Sequence, residues 1–441
     1  VPARDLESFL QSRGKVVLVG RNFGVFKFRP HGWPEELEDI DIALPRTEHA
    51  EGTGGYRDVE AQADPALSIA DDLSRRDFTM NAMALDVRSG TLVDPFGGRN
   101  DLDAKVIRAV RDPHERFTED RSRMLRGLRF AAQLGCTIEP DTMRAIQERM
   151  PNINEQRPAR KTHEHTTLLP NAMEYVTPRE TIAREFIKSF VADPAGSLDL
   201  WEAAGAIEHL FPELRAMQGC AQPEAYHSEG DVWAQTRRAL AMLRSPEYRA
   251  QFGTERPSAL VVLGTLFHDI GKPPTQKTPE RDGADRIRFD GHDRAGGKMA
   301  RAIAKRLALA APFERLLPDG SPNPLHVDTE ALGWIIDHHL LLLEDPAKLR
   351  SATIERYFFD AQKPGDALQR VTFCDGSASI PLGSDAADMA HFRALQQRIT
   401  ELTAVTVERN RLPPPILRGD VLTQHYPVAR GPYLGTILGE L

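Results

Sequence analysis

The motifs Arg75-Arg76-Asp77, Asp94-Pro95-Phe96-Gly97-Gly98 and Glu119-Asp120-Arg121-Ser122-Arg123 follow one another between Ser68 and Leu134, and they indicate the fold of the chain. Arginine offers paired N–H donors to phosphate oxygens, and glycine lets a backbone pass close to a ligand. A carboxylate three residues before an arginine brings both side chains to one face of a helix. Together these features predict a site that holds a nucleotide.

The composition bounds the class of protein. The 441 residues are 41% hydrophobic and 27% charged, which is typical of a globular protein with two to four domains. Apolar runs stay well short of the length that a membrane-spanning helix needs, so none is expected. The three cysteines, Cys136, Cys220 and Cys374, are far apart and odd in number. This argues against a disulfide framework and predicts a cytoplasmic location.

The charge balance bears on possible partners. The formal net charge of -8 weighs against a protein that binds nucleic acid through an overall positive charge. Arginines nevertheless cluster at Arg75-Arg76 and from Arg121 to Arg129. A local basic patch therefore stays open as a contact for nucleic acid or nucleotide.

The first part of the chain reads as a small α/β unit. Lys15 to Val19 and Val25 to Phe28 are predicted strands, joined through a glycine-containing turn. The alternation of polar and apolar residues from Asp39 to Leu44 predicts a third strand whose two aspartates share one face. Arg46 to Asp64 is expected to be a polar loop. Beyond Asp141 no strong strand pattern is found, so the remainder is predicted to be helical.

The clearest helical pattern runs from Thr118 to Leu134, with Gly135 as its stop signal. Thr118 is the expected N-cap, and the acidic residues that follow it suit the positive end of a helix dipole. On that prediction Asp120 and Arg123 lie together on an exposed first turn.

These residues suit the chemistry of nucleotidyl transfer. That reaction needs carboxylates to hold Mg²⁺, which bridges the triphosphate and lowers the pKa of the attacking hydroxyl, and arginines to neutralise the leaving pyrophosphate. Arg76 and Asp77 fit contacts to a triphosphate and a ribose. Asp120 and Arg123 place a planar carboxylate beside a planar guanidinium, which matches the Watson–Crick edge of a base. The alternative for that pair is an ordinary helix ion pair worth roughly 0.2–0.5 kcal/mol.

The motifs resemble the class II tRNA nucleotidyltransferase and bacterial poly(A) polymerase family, whose members build or repair the CCA end of tRNA. The resemblance covers nearly the whole chain and rests on Val19 to Val25, Arg75 to Ala82, Asp94 to Leu102, Glu119 to Phe130, Thr177 to Glu185, Leu417 to Asp420 and Gly431-Pro432. It implies that the nucleotide-binding residues are Arg76, Asp77, Asn81, Asp120, Arg123, Arg126 and Arg129.

The chain departs from the family pattern at one point. The family's Gly-Gly-x-Val-Arg-Asp turn and the Asp-x-Asp pair that holds its metals belong before Val16, and Val1 to Lys15 does not supply them. Asp39-Ile40-Asp41 has the letters of such a pair, but its position matches the later strand that gives the family a third carboxylate. The resemblance therefore implies Asp41 as a supporting catalytic residue, and we expect a missing N-terminal segment and an incomplete C-terminal tail.

A second group of reactive residues lies in the helical half. His227, the pair His268-Asp269, His292, Asp337-His338-His339 and Asp375 come in the order of an HD phosphohydrolase. Imidazoles and carboxylates brought together by packed helices hold a divalent ion and ionise its water for attack on a phosphoester. The alternative is that these histidines are satisfied by hydrogen bonds within a helical core.

Some members of the nucleotidyltransferase family carry such an HD domain and show phosphatase and 2′,3′-cyclic phosphodiesterase activity. By that resemblance His227, His268, Asp269 and Asp375 are the implied metal ligands. His292 and His338 are implied to assist or to bind a second ion.

The expected fold is an α/β nucleotidyltransferase-like head, with a mixed small sheet and helices, followed by an all-α neck and body with an HD-type helical domain. The expected boundaries are 1–115 for the head, 116–215 for the neck with its base-selecting and RNA-binding helices, 216–380 for the HD domain and 381–441 for the C-terminal tail.

The expected function is template-independent addition or repair of the tRNA 3′ CCA end from CTP and ATP, with Mg²⁺ at the transfer site. A divalent transition metal or Mg²⁺ is expected at the HD site, and the expected partners are tRNA, ATP and CTP. Two alternatives stay open. One is an HD phosphatase or cyclic phosphodiesterase whose head only binds, and the other is a catalytically silent tRNA-binding protein. The sequence does not distinguish addition of CCA from addition of CC, A or a poly(A) tail, and it leaves the oligomeric state open.

Overall fold

The protein is described from a computed structural model, which covers residues 3–19, 25–34, 37–50, 54–55, 59–64, 66–159, 172–342 and 345–411. The chain divides into two compact units, Val1–Leu341 with Pro364–Met389 and Leu342–Lys363 with Ala390–Leu441. The predicted turn at residues 20–24 and the tail motifs at 417–420 and 431–432 lie outside the described residues. Within the described helices, none combines the length and the apolar character needed to cross a membrane.

A three-stranded antiparallel sheet with one helix opens the first unit. Its elements are α1 (Ala3–Gln11), β1 (Gly14–Val19), β2 (Val25–Pro30) and β3 (Ile40–Ala43), with strand order β1-β2-β3. Leu10 of α1 packs with Phe26 and Phe28 in a buried core, because alternate side chains of β2 point to one face. The three strands predicted for this region are confirmed.

The remaining strands form four short pairs. They are β4 (Arg46–Ala50) with β5 (Val59–Ala63), β6 (Ala84–Leu85) with β7 (Leu92–Val93), β8 (Val106–Ile107) with β9 (Thr137–Ile138), and β10 (Gln156–Pro158) with β11 (Met173–Tyr175). Two expectations were wrong here. The segment expected as a polar loop pairs as β4 and β5, and the half expected to be free of strands contains β10 and β11. Backbone N–H and C=O groups pair in a hairpin whatever the side-chain pattern, so alternation does not reveal such strands.

The predicted helix from Thr118 to Leu134 is two helices. α4 spans Pro113–Glu119 and α5 spans Ser122–Leu134. Asp120 has extended backbone angles (φ -147°, ψ 104°), and its carboxylate accepts from the backbone N–H of Ser122 at 2.9 Å. The expected stop is confirmed, because Gly135 closes α5 in the left-handed conformation at φ 63°.

Helices make up most of the rest of the chain. They are α2 (Ile69–Ser74), α3 (Gly98–Asp103), α6 (Pro140–Arg149), α7 (Arg179–Ala192), α8 (Pro194–Ala203), α9 (Ala206–Leu210), α10 (Pro212–Arg215), α11 (Val232–Met242), α12 (Pro246–Phe252), α13 (Ala259–Phe267), α14 (Lys272–Thr275), α15 (Pro279–Asp282), α16 (His292–Arg306), α17 (Thr329–His338), α18 (Ser351–Phe358), α19 (Gly365–Ala378) and α20 (Ala390–Arg411).

An aromatic cluster forms the core behind α5 and α7. The Phe186 ring of α7 stacks on Phe211 with their centroids 4.4 Å apart, and Trp201 of α8 meets Phe186 edge-on at 5.2 Å. The Trp201 indole N–H donates to the Ser189 hydroxyl at 3.0 Å, so this buried ring has its polar atom satisfied. Helix α5 packs on α7, which fixes the wall on which the arginines of α5 are mounted.

Helix α13 lies at the centre of a second helical group. Its residues are buried nearly all round, and it contacts α11, α17 and α19. A helix that is apolar on every face belongs in a core. Helix α16 packs along α17 at the side of this group.

The second unit is small and helical. Its described part contains α18, α20 and a 3₁₀ turn at Pro346–Lys348. The Arg398 guanidinium of α20 donates to the carbonyl oxygens of Pro346 and Leu349, which ties α20 to that turn.

Candidate functional site

A cavity of about 650 Å³ opens beside β2, β3 and α5, and we call it the head pocket. Its lining is Val25, Asp41, Ala43, Arg75, Arg76, Asp77, Asp120, Ser122, Arg123, Arg126, Thr181, Arg184 and Glu185. Arginine is the commonest residue type in this lining. Guanidinium groups in such number suit an anion with several phosphate oxygens.

The ion pair between Asp77 and Arg126 is the most tightly held part of the head pocket. Arg126 reaches one carboxylate oxygen of Asp77 through Nη2 at 2.6 Å, and the other oxygen accepts from Asn81 Nδ2 at 3.1 Å and from the backbone N–H of Phe78 at 2.9 Å. Burial opposes the charge, but Arg126 and Asn81 together hold the pKa of Asp77 below its usual value. Asp77 is therefore ionised and fixes Arg126 beside the cavity.

The pair predicted to read a base, Asp120 and Arg123, does line the head pocket, but it is not on an exposed turn. Its side chains are only 14% and 10% exposed, with Arg123 Nε 3.9 Å from Asp120 Oδ2. Arg123 also donates to Glu119 at 3.1 Å and to the carbonyl oxygen of Arg75 at 3.2 Å. The chain bends at Asp120, and the first turn of α5 therefore packs against the Arg75 segment. Burial raises the pKa of Asp120, even though Ser122 and Arg123 oppose that shift.

The structure places the other residues expected at the nucleotide site, including the expected catalytic residue Asp41, in two ways. Arg76 is exposed and lines the head pocket, and Asp41 of β3 lines it with a side chain 64% exposed. Asn81 and Arg129 are outside the pocket lining. Asn81 supports Asp77, and Arg129 is buried, where it pairs with Glu185 of α7. Arg129 thus joins two helices, and its contact with a nucleotide stays a prediction.

Five residues on or next to four helices of the second helical group lie close together, and we call this cluster the HD centre. His268 and Asp269 follow α13, His292 begins α16, His339 follows α17 and Asp375 lies on α19. Two sets of donor atoms lie close enough to share a metal ion, Asp269 with His292 and His339, and His268 with Asp269 and Asp375.

The distances within the HD centre show that Asp269 is its hub. One Asp269 oxygen lies 3.5 Å from His292 Nε2 and 3.7 Å from His339 Nε2. The other lies 3.2 Å from His268 Nε2 and 2.7 Å from Lys272 Nζ. His268 Nε2 is also 3.4 Å from Asp375 Oδ1.

Glycine makes this convergence sterically possible. A Cβ on Gly271 would lie 2.0 Å from the carbonyl oxygen of His292 and 2.6 Å from the amide nitrogen of Gly296. Only a residue without a side chain lets the turn after Asp269 approach the start of α16 so closely. The Gly-Lys sequence after the His-Asp pair therefore has a packing reason at Gly271.

The three histidines are held in the tautomer that binds metal. Each has its Nδ1 within hydrogen-bond distance of a backbone carbonyl, His268 to Thr265 at 2.7 Å, His292 to Phe289 at 2.8 Å and His339 to Ile336 at 2.7 Å. A carbonyl only accepts, so Nδ1 carries a hydrogen and Nε2 is the nitrogen left to bind a metal. Among the described residues, these buried Nε2 atoms have no hydrogen-bond partner. The cluster therefore fits a divalent ion ligated by imidazole and carboxylate.

Without an ion the same cluster would hold protons. Burial opposes a charge on His268, but Asp269 and Asp375 outweigh it and raise the pKa of His268 to about 10. In the same way burial works against ionisation of Asp375, but His268 lowers its pKa to about 2. A cation would take the place of the proton between these carboxylates.

Two histidines implied as ligands are placed elsewhere. His227 Nδ1 lies 2.8 Å from a Glu229 oxygen, and His338 stacks on Trp334 with its Nδ1 2.7 Å from the Trp334 carbonyl. Among the described residues, neither belongs to a potential metal-binding group.

His339 belongs to the HD centre but was not among the ligands predicted from the sequence. With Leu332, Ile335 and Ile336 it makes an i, i+3, i+4, i+7 pattern, and all four are buried. Reading the Asp337-His338-His339 run for this periodicity would have selected the second histidine.

Two protein families match separate parts of the chain, one containing residues of the head pocket and the other residues of the HD centre. The Poly A polymerase head domain family matches residues 2–108, and the HD domain family matches residues 234–363. The multifunctional CCA protein of Xylella fastidiosa (strain M12) is 31% identical over 324 residues, which are 73% of this chain and 67% of that protein. That of Stenotrophomonas maltophilia (strain K279a) is 32% identical over 304 residues, 68% of this chain and 64% of that protein.

Solved structures give the same fold. A CCA-adding enzyme with ATP matches at a TM-score of 0.53 and 17% identity, covering 100% of this chain and 78% of that one. The Bacillus stearothermophilus CCA-adding enzyme with CTP matches at a TM-score of 0.50 and 20% identity, covering 98% and 80%. The chain spans 62% of the length of the Xylella fastidiosa (strain M23) relative that it matches. The expected fold class, small sheets with helices followed by a helical body, is confirmed.

Proposed function

Because the chain belongs to the family of multifunctional CCA proteins, we propose that it acts in template-independent addition or repair of the tRNA 3′ CCA end, using CTP and ATP. The observation that carries this proposal is the head pocket, which gathers Arg76, Asp77, Asp120, Arg123 and Arg126 from separate elements around one cavity. A cavity of about 650 Å³ is within the range of small-molecule sites.

We assign the chemistry within the head pocket by charge and exposure. Arg76, exposed in the lining, binds triphosphate oxygens. Asp77, held in place by Arg126, accepts from a ribose hydroxyl. Asp120 and Arg123 present an acceptor and fixed donors to the edge of a base, and their burial makes them a rigid reader of its hydrogen-bonding pattern.

Bound Mg²⁺ would lower the pKa of the attacking 3′-hydroxyl and neutralise the triphosphate. Asp41 is the exposed carboxylate of the lining and is the residue we assign to that ion. A two-ion transfer site uses more ligands than one carboxylate. In the family pattern an Asp-x-Asp pair supplies them.

A second activity is favoured by the HD centre. We infer metal-dependent hydrolysis of phosphoesters, with His268, Asp269 and Asp375 around one ion and His292 and His339 on the other side of Asp269. A bound divalent ion would ionise a water for attack on phosphorus. Lys272 holds Asp269 in place, because its Nζ lies 2.7 Å from Asp269 Oδ2 and donates to Gln222 Oε1 at 2.7 Å. A transition metal suits the imidazole-rich ligand set better than Mg²⁺ does.

The remaining assignments are proposals of the same kind. tRNA, ATP and CTP are the proposed partners, and the boundaries 1–115, 116–215, 216–380 and 381–441 are the proposed domain limits. A cytoplasmic location is proposed because the three cysteines are free thiols, as expected in a reducing compartment.

Labelled CTP and ATP offered with a tRNA that lacks its CCA end test the first activity. The measurement compares the full-length protein with its Arg76→Ala variant. We expect incorporation by the full-length protein and a loss of at least about tenfold in Arg76→Ala, the loss expected for a charge-assisted contact of about 1.5–3 kcal/mol. Arg237→Ala, which removes an exposed arginine paired with Asp199, is the matched control and should incorporate normally.

Failure of the full-length protein to incorporate label would refute the nucleotidyltransferase proposal. If a phosphoester such as a 2′,3′-cyclic nucleotide is then still hydrolysed in a metal-dependent manner, hydrolysis at the HD centre is the activity. If neither reaction occurs, the third alternative, a tRNA-binding protein, is the one left.

A further inference from the structure

Gln235 contacts the HD centre, although it belongs to none of the motifs found in the sequence. It lies on α11, which packs against both α13 and α19. Its side chain is completely buried, and its Nε2 donates to Asp375 Oδ1 at 2.7 Å. The same Asp375 oxygen lies 3.4 Å from His268 Nε2. Gln235 therefore touches one of the two groups of atoms able to hold an ion.

The orientation of the Gln235 amide follows from its neighbour. An ionised carboxylate only accepts hydrogen bonds, so the amide nitrogen, and not the amide oxygen, must face Asp375. The amide oxygen Oε1 is then left over. Among the described residues this buried oxygen has no hydrogen-bond partner. A buried carbonyl oxygen that accepts no hydrogen bond is unfavourable unless a water molecule or a bound ion interacts with it.

The implied first histidine of the HD pattern does not reach this place. His227 is turned to Glu229, whose other oxygen accepts from the backbone N–H of Ile380 at 2.9 Å. The position between α11 and Asp375 is taken by a carboxamide instead of an imidazole. A carboxamide oxygen is a neutral, hard donor of the kind that Mn²⁺ and Mg²⁺ accept, whereas imidazole favours Co²⁺, Ni²⁺ and Zn²⁺.

We propose that Gln235 is part of the metal site of this chain: its amide N–H fixes Asp375, and its Oε1 supplies a neutral oxygen donor that shifts the metal preference of the HD centre toward Mn²⁺. The inference rests on the proposed metal-dependent function of the HD centre. The hydrogen bond from the amide nitrogen to Asp375 sets the direction of the carboxylate. Gln235 thus acts on the ion through Asp375 and through its own oxygen.

Direct metal binding tests this inference without an assay of activity. Mn²⁺ is titrated by its electron paramagnetic resonance signal, and Co²⁺ by its visible absorption spectrum, in the full chain and in three variants. Gln235→Met keeps the volume and removes both polar atoms. Gln235→His exchanges the amide for an imidazole. Thr236→Val, at the next residue of α11, removes a buried hydroxyl outside the HD centre and is the matched control.

We expect Gln235→Met to weaken Mn²⁺ binding about 10–100-fold, the range typical of losing a group that orients a metal ligand. Gln235→His is expected to shift the ratio of Co²⁺ to Mn²⁺ affinity toward Co²⁺ by about tenfold, with altered Co²⁺ absorption. Thr236→Val should bind both ions as the unaltered chain does. Circular dichroism and thermal unfolding show whether each variant is folded.

Several results would overturn the inference. Unchanged Mn²⁺ affinity in a folded Gln235→Met protein removes Gln235 from the site while leaving the HD centre intact. If Gln235→Met fails to fold, an unchanged Co²⁺ to Mn²⁺ ratio in Gln235→His has the same meaning. If the unaltered chain binds neither ion, the metal-dependent function itself fails, and this inference fails with it.

Discussion

The head pocket and the HD centre differ in the groups that they leave for a ligand. In the pocket Asp77 is neutralised by Arg126, and Arg76 stays exposed. In the HD centre Lys272 pairs with one oxygen of Asp269, and three imidazole Nε2 atoms near this carboxylate lack hydrogen bonds within the described residues. Exposed guanidinium suits an anion, and imidazole nitrogen beside carboxylate suits a metal cation. We therefore expect the two sites to bind ligands of opposite charge.

The largest effect is expected from Asp269→Asn, which keeps the size of the side chain and removes its negative charge. Asp269 faces both groups of metal-binding atoms, so its loss should weaken Mn²⁺ binding by more than the roughly 10–100-fold typical of a supporting residue. Binding of CTP at the head pocket should be unchanged. Titration of Mn²⁺ and of CTP into the variant checks both statements, and a loss of CTP binding would break the comparison between the two sites.

The next effect concerns the wall of the head pocket. Arg129 of α5 and Glu185 of α7 form a buried ion pair, so Arg129→Met leaves a carboxylate without its partner. Removing one member of a buried pair typically costs about 3–5 kcal/mol, whereas replacing both with apolar residues is often nearly neutral. We expect Arg129→Met to lower the free energy of unfolding in urea by this amount. The double variant with Glu185→Leu should recover most of it, and equal losses in the two variants would show that the unpaired carboxylate is not the cause of the loss.

A smaller effect is expected from pH at Asp77. Its folded-state pKa is lowered, so Asp77 contributes stability above its ordinary pKa, near 3.8, and this is lost as pH falls through the folded-state value. Arg126→Gln removes the main attraction and should shrink that loss. Urea unfolding measured at several pH values between neutral and the acid limit of the fold checks this. Identical acid profiles for the two proteins would mean that Arg126 does not act on Asp77.

The smallest effect is expected at an exposed pair. Arg237 donates to Asp199 at 2.6 Å, with both side chains about half exposed. Solvent-exposed pairs typically contribute about 0.2–1 kcal/mol, so Arg237→Met should change the free energy of unfolding by no more than that. A loss comparable to that of Arg129→Met would mean that burial is not what separates the two pairs.

Sequence analysis described the head pocket better than the HD centre, and the reason is distance along the chain. Arg75, Arg76 and Asp77 are consecutive, and Asp120, Arg123 and Arg126 follow one another at intervals of three residues. Their spacing along the chain therefore predicted that these side chains face the same site. What local spacing did not show was the bend at Asp120, which divides α4 from α5 and buries Arg123.

The HD centre and its neighbour Gln235 bring together residues far apart in the sequence, since Gln235 and Asp375 are separated by 140 positions. The His-Asp pair was found because its two residues are adjacent. His339 was not predicted as a ligand because the prediction used a motif and not the spacing of buried residues along the helix. Gln235 was not predicted because a single glutamine in a sequence does not indicate a metal site. Helix packing determines these neighbours, and no spacing rule within one segment contains that information.

The account's central claim is that the chain carries an anion site in the head and a separate cation site at Asp269. The direct test is a crossed titration, with Mn²⁺ measured in metal-free buffer and CTP measured in Mg²⁺ buffer, for the unaltered chain, Asp269→Asn and Arg76→Ala. We predict that Asp269→Asn loses only Mn²⁺ binding and that Arg76→Ala loses only CTP binding. If either variant lost both ligands while remaining folded, the two sites would not be separate and the account would be contradicted.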